Sequence, residues 1–158
     1  MADPTQAELR AAFDYDPQSG QLIDRETGFE VGWSNGRAGH IRMTFQGRKF
    51  YAHRIIFRWM TGEWPALGEH KNLNAGDNRW ENLRPADKSL NGANTTITAR
   101  NKVGLKGVSR CATTGMYRAD ITVNGEHRNL GRVDCPAVAS FRYQIASHEA
   151  FGEYARAF

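Results

Sequence analysis

The chain has 158 residues, of which 40% are hydrophobic and 24% charged, with a net charge of +4 and two cysteines. This length allows one domain or two compact ones, and the composition is that of a protein with a packed core rather than of a disordered tail. It excludes a membrane-spanning run of roughly 20 apolar residues and a zinc site of four cysteines. We expect no secretory signal. We also expect Cys111 and Cys135 to lie in a reducing compartment, although the sequence does not exclude one disulfide between them.

Basic residues are concentrated in two stretches of the chain. Residues 36–62 hold six basic and no acidic side chains, and residues 99–158 hold nine basic and five acidic ones. Residues 1–35 are acidic, with two basic and seven acidic side chains, while residues 63–98 are close to neutral. Local basic blocks are expected of a surface that binds phosphate groups, although charge alone fits ordinary solvated faces equally well.

The first elements in chain order are a helix, a strand and a β-ribbon. Hydrophobic spacing predicts a helix over residues 5–13, and a strand begins at residue 21. Residues 40–45 then alternate apolar and polar side chains, and after a turn at Gln46 and Gly47 the chain returns over residues 48–52. A β-ribbon fits the major groove of DNA, and this ribbon would project three basic side chains: Arg42, Arg48 and Lys49.

The middle of the chain predicts two helices with two short strands between them. The first helix covers residues 53–61. It is followed by a strand over residues 69–73 and by a turn. Residues 78–83 then lead into a second short strand. The second helix is expected to run from Pro85 to about Thr95, because proline is common in the first turn of a helix.

The last third of the chain predicts three strands and one helix. The strands lie near Val108, over residues 117–123 and over residues 128–133, and Asn124-Gly125 forms a hairpin turn between the last two. The helix covers residues 136–151, and four of its side chains are expected to face the core: Val138, Phe141, Ile145 and Ala146.

These elements predict an α+β protein with two domains. The first, residues 1–98, holds the β-ribbon and a strand–strand–helix motif at about residues 67–95. Residues 99–102 are the expected linker, because the segment around them is polar and nearly devoid of large hydrophobic side chains. Residues 103–158 form the second domain, a three-stranded antiparallel sheet packed on one helix.

Candidate catalytic residues are concentrated in the strand–strand–helix motif. His70 follows Glu69, Asn82 comes 12 residues after His70, and Asn91 comes nine residues after that. The turn allows the two strands to pair, and the helix then brings Asn91 back over them. Carboxylate and amide oxygens suit a hard divalent cation such as Mg²⁺, and a neutral histidine beside such a cation suits a general base.

The motif resembles the HNH endonuclease family, in particular phage homing endonucleases of the His-Asn-Asn variant. The resemblance rests on Glu69-His70 and on the run Asp77-Asn78-Arg79-Trp80-Glu81-Asn82-Leu83-Arg84, with an upstream lead-in, and covers residues 13–95. It implies a ββα-metal core in which His70 is the general base and Asn82 orients it. It further implies that Asn91 and the residue before His70 ligate Mg²⁺ or Mn²⁺. The family usually has aspartate at that last position, where this chain has Glu69.

Residues 103–158 resemble the AP-two/ERF DNA-binding domain. The resemblance rests on Gly107-Val108, on Ala119-Asp120-Ile121 and on Leu130-Gly131 before the last helix. It implies that the three-stranded sheet lies in the major groove of DNA, through Lys106, Arg110, Tyr117, Arg118, Arg128 and Arg132. In the first domain we expect DNA contacts from Arg42, Arg48 and Lys49 and from two further arginines of the same basic stretch, Arg37 and Arg54.

Together these features predict a site-specific, metal-dependent endonuclease of the homing type that binds double-stranded DNA and hydrolyses phosphodiester bonds. A monomer would nick one strand, and a homodimer could cut both. The resemblance implies a phage-encoded protein of the bacterial host cytoplasm. Two alternatives stay open, namely an HNH relic that binds DNA as a regulator, favoured by Glu69, and a module whose basic faces bind an acidic protein.

Overall fold

The computed structural model describes residues 2–34 and 39–156, which fold as α+β with small antiparallel sheets. The chain forms two compact units, Met1–Ala86 and Asp87–Phe158. The domain limits at residues 1–98 and 103–158, and the linker at residues 99–102, remain predictions. None of the described helices has the length and apolar character needed to cross a bilayer. Cys111 and Cys135 are both free thiols.

Within the described residues, the first unit contains three small antiparallel sheets and two α-helices. The helices are α1 (Gln6–Ala12) and α2 (Ala52–Thr61). The strands pair as β1–β2, β3–β4–β5 and β6–β7, with the bounds β1 (Phe13–Tyr15), β2 (Leu22–Asp24), β3 (Trp33–Ser34), β4 (Ile41–Phe45), β5 (Arg48–Tyr51), β6 (Leu67–His70) and β7 (Leu83–Ala86).

Local signals explain where both helices of the first unit begin and end. Thr5 caps α1 by accepting from the backbone N–H of Glu8, whose carboxylate bonds back to the N–H of Thr5. Gly62 ends α2 in the left-handed conformation. Leu9 of α1 and Ile55 and Ile56 of α2 are fully buried and form the centre of the core of this unit.

The β-ribbon at β4 and β5 follows the prediction. The strands pair antiparallel from Arg42 opposite Tyr51 to Phe45 opposite Arg48. Gln46 and Gly47 both have positive φ, 49° and 74°, which is the backbone of the two-residue turn whose twist matches a hairpin.

The start of the third helix differs from the prediction. Pro85 lies in β7, opposite Gly68, and α3 covers Lys88–Asn94. Asp87 caps this helix, because its side chain accepts from the N–H of Leu90 at 2.8 Å, so the aspartate rather than the proline marks its start. Ala93 of α3 belongs to the core of the second unit.

The second unit packs a three-stranded antiparallel sheet against a long helix, as predicted. Its elements are α3, β8 (Val108–Arg110), β9 (Tyr117–Val123), β10 (Glu126–Val133) and α4 (Pro136–Phe151), with β9 in the centre of the sheet. Tyr143 of α4 covers Gly107, where an added Cβ would lie 2.0 Å from the tyrosine ring. Gly107 therefore lets the helix approach the sheet closely.

The predicted core face of α4 is wrong for three of its four residues. Val138, Phe141 and Ile145 are exposed, and only Ala146 packs against the core. The side of the helix that faces the sheet carries Tyr143 and several small side chains. Two of these small side chains, Ala139 and Ser147, are fully buried. Small residues allow close helix–sheet packing, so the largest apolar stripe of α4 does not mark its buried side.

Candidate functional site

The β6–β7 hairpin buries Glu69 and His70 in the first unit. Glu69 lies opposite Arg84 and His70 opposite Leu83, and the two residues are only 4% and 5% exposed. The Nε–H of Arg84 donates to Oε1 of Glu69 at 2.5 Å, and both side chains of this ion pair are more than nine-tenths buried. The carboxylate beside the histidine is therefore compensated by a guanidinium of the same hairpin.

The His70 ring is held by Asn78. Nε2 of His70 lies 3.1 Å from Oδ1 of Asn78, and an amide oxygen only accepts, so Nε2 carries the proton and the lone pair of the neutral ring is on Nδ1. Burial lowers the pKa of His70, while the bond to Asn78 opposes that shift. The ring is thus neutral near pH 7, as a general base requires.

Asn82 fixes the loop that carries Asn78. Its Oδ1 accepts from the N–H of Asn72 at 3.0 Å, and its Nδ2 donates to the carbonyl of Asp77 at 2.7 Å. Within the same loop, the carboxylate of Asp77 accepts from Asn72 and from the guanidinium of Arg79. Asn82 is thus placed to act on His70 through the loop and Asn78.

Asn78 is the residue of the site that the sequence analysis missed. The N-terminal part of the chain supports it from behind: the hydroxyl of Tyr15 donates to the Asn78 carbonyl at 2.7 Å. Gly20, at φ 80°, lies so close that an added Cβ would be 2.6 Å from the backbone of Asn78 and Arg79. Asn78 is part of the run Asp77–Arg84 on which the resemblance rests, but nothing in the pattern separates Asn78 from its neighbours.

Two further histidines lie against His70. The ring centroid of His53 is 5.0 Å from that of His70, and the ring centroid of His40 is 5.8 Å from that of His70. The centroids of His40 and His53 are 5.5 Å apart. His40 is half-buried in this group. Burial is the main cause that lowers the pKa of His53 to about 3 and that also lowers the pKa of His40.

Asn91 lies on the exposed side of α3, in the second unit, so its part in the site stays a prediction. Glu69 fits a hard divalent cation in its donor chemistry, because carboxylate oxygen is a preferred ligand of Mg²⁺ and Mn²⁺. A cation at Glu69 would share the carboxylate with Arg84.

The basic residues predicted to bind DNA in the first unit fall on two faces of the ribbon. Lys49 is opposite Thr44 and shares a face with Arg42, whereas Arg48 is opposite Phe45 on the other face. Arg48 is ion-paired with Asp3 at 2.7 Å. Arg54, on α2, stacks over the Trp64 ring, and Arg37 lies outside the described residues.

The corresponding residues of the second unit also divide between two faces. Arg118 is opposite Arg132 on β10 and opposite Ser109 on β8, so the two arginines share one face of the sheet. The other face of the sheet holds Arg110 and Tyr117, which are paired across strands, and Arg128, which is opposite the buried Ile121.

Lys106 has a structural role in the second unit. Its ammonium group donates to the carbonyls of Ala93 and Thr95 at 2.5 and 2.7 Å, which anchors the end of α3.

Two arginines of the sheet are ion-paired within their own strands. Arg118 is ion-paired with Asp120 at 2.6 Å, and Arg128 with Glu126 at 3.2 Å. Arg132 is exposed on the face that it shares with Arg118.

Comparison with known proteins identifies the segment that holds this site. No curated protein matches the chain at a significant level. A solved structure concerned with DNA binding and cleavage by the HNH homing endonuclease I-HmuI is 18% identical and covers 58% of this chain, with a TM-score of 0.45. The match spans 56% of that chain. Residues 50–93, which include Glu69, His70, Asn78 and Asn82, match the HNH_3 family model, described as HNH endonuclease.

Proposed function

We propose that the protein is a site-specific, metal-dependent DNA endonuclease that hydrolyses phosphodiester bonds. The observation that carries the proposal is the match of residues 50–93 to an HNH endonuclease family, in a segment whose hairpin presents a buried, neutral histidine held by an amide. Double-stranded DNA is the proposed substrate, with one active site in each chain, so a monomer nicks and a homodimer cuts both strands.

The roles of the residues follow from their contacts. Nδ1 of His70 accepts a proton from the attacking water, because Asn78 holds the proton on Nε2. Asn82 is a positioning residue that keeps the loop, and with it Asn78, in place. Glu69 and Asn91 would hold a divalent cation, Mg²⁺ or Mn²⁺. When bound, this ion supplies Lewis-acid stabilisation of the charge that develops on the phosphate.

A second candidate function is favoured by the Glu69–Arg84 ion pair. A carboxylate already compensated by a buried guanidinium binds a cation less tightly than one that faces solvent with its charge uncompensated, since the two positive charges repel each other. The chain would then be a weak or inactive HNH relic that binds DNA as a regulator.

A cleavage assay separates the two functions. Supercoiled plasmid and genomic DNA of the host are incubated with the chain in Mg²⁺ or Mn²⁺, and nicked and linear products are measured. We expect cleavage by the wild type, and a rate lowered about 10²- to 10⁴-fold in His70→Ala, the range for loss of a general base. His148→Ala, which removes an exposed histidine of α4, should cut like the wild type.

Three results would contradict parts of the proposal. Cleavage by His70→Ala at the wild-type rate would remove His70 as the base. Cleavage that appears only in Glu69→Asp would identify the wild type as a relic. DNA binding without cleavage in the wild type and in Glu69→Asp would leave a DNA-binding regulator.

A further inference from the structure

Three histidines from separate parts of the first unit meet at one point. His40 precedes β4, His53 lies in the first turn of α2, and His70 ends β6. Each offers one ring nitrogen, and these three nitrogens all lie within 4.8 Å of one another. Residues up to 30 positions apart in sequence thus present the same donor type to a common point.

Two of these rings have a buried nitrogen that the described protein leaves without a hydrogen bond. Nδ1 of His40 and Nδ1 of His53 are both inaccessible to solvent and have no partner among the described residues. His53 as a whole is only 5% exposed. A buried polar atom left unsatisfied costs about 1–3 kcal/mol. The ring centroids of His40 and His53 are 5.5 Å apart, so one ligand between the two rings could bind both.

The distances fit a transition-metal ion. Zinc–nitrogen bonds of about 2.0–2.1 Å place the nitrogens of a tetrahedral site about 3.4 Å apart. Nitrogens that already lie within 4.8 Å reach that separation when each ring moves by about 1 Å or less, which small side-chain rotations provide. Imidazole donors suit zinc, cobalt, nickel and copper, whereas Mg²⁺ prefers oxygen.

We propose that His40, His53 and His70 bind one transition-metal ion of the zinc class. The site differs in residues and in donor chemistry from the oxygen site proposed at Glu69 and Asn91. Three histidines leave a fourth coordination position for an oxygen ligand, as in other three-histidine zinc sites.

The site also affects the proposed endonuclease, in a step that rests on the proposed function. A histidine nitrogen bound to a metal has no lone pair with which to accept a proton. An ion on His70 and general-base catalysis by His70 are therefore mutually exclusive. Zinc is expected to inhibit cleavage in Mg²⁺, and His40→Phe, which leaves His70 unchanged, should be inhibited less.

The test measures zinc binding by the full chain. The protein is stripped with a chelator, dialysed into a buffer with millimolar Mg²⁺, and titrated with Zn²⁺ in a calorimeter. Excess Mg²⁺ occupies oxygen sites, so the heat reports nitrogen or sulfur donors. We expect one Zn²⁺ per chain, and a higher melting temperature with zinc, because a ligand of the folded state stabilises it.

Matched variants assign the binding to the three histidines. His40→Phe and His53→Phe keep a ring of similar size, and each should weaken zinc binding by at least about 10-fold, because even the loss of an outer-shell contact has that effect. His148→Phe, at an exposed position, should leave the affinity unchanged. If His53→Phe loses its circular-dichroism spectrum, His40→Phe, at a half-buried position, decides.

Two results would overturn the inference. One is a wild-type chain that takes up no zinc, and the other is a zinc affinity equal in the wild type and in His40→Phe, which would point to the cysteines. Neither outcome depends on cleavage. A chain that binds zinc at these histidines and cuts no DNA would retain this inference and lose the proposed function, and a chain that cuts DNA without binding zinc would do the reverse.

Discussion

Glu69 has a structural partner that the sequence does not reveal. It stands where the resemblance implies an aspartate that ligates the metal, and its side chain is one methylene longer. In the structure its longer side chain meets Arg84 across the hairpin at 2.5 Å, in an ion pair that is more than nine-tenths buried. Aspartate would shorten that reach. The methylene that weakens the resemblance therefore serves the contact with Arg84.

This pairing predicts a strong coupling between the two side chains. Glu69→Gln and Arg84→Met should each lower the free energy of unfolding by about 3 kcal/mol, because each leaves one buried charge uncompensated. The double variant should lose clearly less than the sum of the two, because both charges are gone. Urea unfolding in a chelator, which removes any contribution from metals, measures these values.

The exposed ion pair of Arg25 with Asp14 provides the control. Its side chains are 51% and 59% exposed, and Asp14→Asn should change the free energy of unfolding by less than about 1 kcal/mol. Additive losses for Glu69→Gln and Arg84→Met would mean that the two charges do not stabilise each other.

The site depends on a loop that a segment distant in sequence supports. The loop between β6 and β7 carries Asn78 and is tied by Asn82. The turn after β1 approaches its backbone at Gly20, and the carbonyl of Pro17 accepts from the N–H of Trp80 at 3.0 Å. The turn-rich stretch at residues 14–20 is therefore part of the support of His70.

Two glycine substitutions test this support. Gly20→Ala should destabilise the fold by about 2–4 kcal/mol. The added Cβ would sit on a left-handed backbone and would lie 2.6 Å from the backbone of the loop. Gly28→Ala has a similar φ of 73° but meets nothing within 4 Å, so it should cost only about 1 kcal/mol of backbone strain. Chemical unfolding of both variants gives the comparison, and equal losses would exclude a role for the close approach.

Sequence reasoning predicted the elements whose signals are local and missed the contacts that depend on register. The β4–β5 ribbon and α2 follow from alternation, a Gly turn and helical spacing within a dozen residues. The Tyr15–Asn78 bond joins residues 63 positions apart, and the Glu69–Arg84 pair requires the hairpin register. The buried face of α4 cannot be predicted from hydrophobic size, because small side chains such as Ala139 and Ser147 face the sheet while Phe141 is exposed.

Net charge is divided unevenly between the two units of the chain. The first unit holds 11 basic and 11 acidic residues, and the second holds 10 basic and six acidic ones, so the entire net charge of +4 lies in residues 87–158. Under the proposed function, the neutral first unit holds the candidate site, and the basic second unit is expected to bind DNA through its three-stranded sheet. In such a division the second unit supplies most of the attraction to phosphates.

This division predicts how DNA binding depends on salt. Affinity for a DNA duplex should fall linearly on a log–log plot against salt concentration, with a slope of about 0.9 for each phosphate contacted. Arg132→Gln removes an exposed arginine from the sheet of the second unit and should reduce the slope by about 0.9. Arg25→Gln removes the same charge from the acidic stretch of the first unit and should leave the slope unchanged. Fluorescence anisotropy between 50 and 300 mM salt measures both, and equal effects of the two variants would mean that net charge, and not the sheet, governs binding.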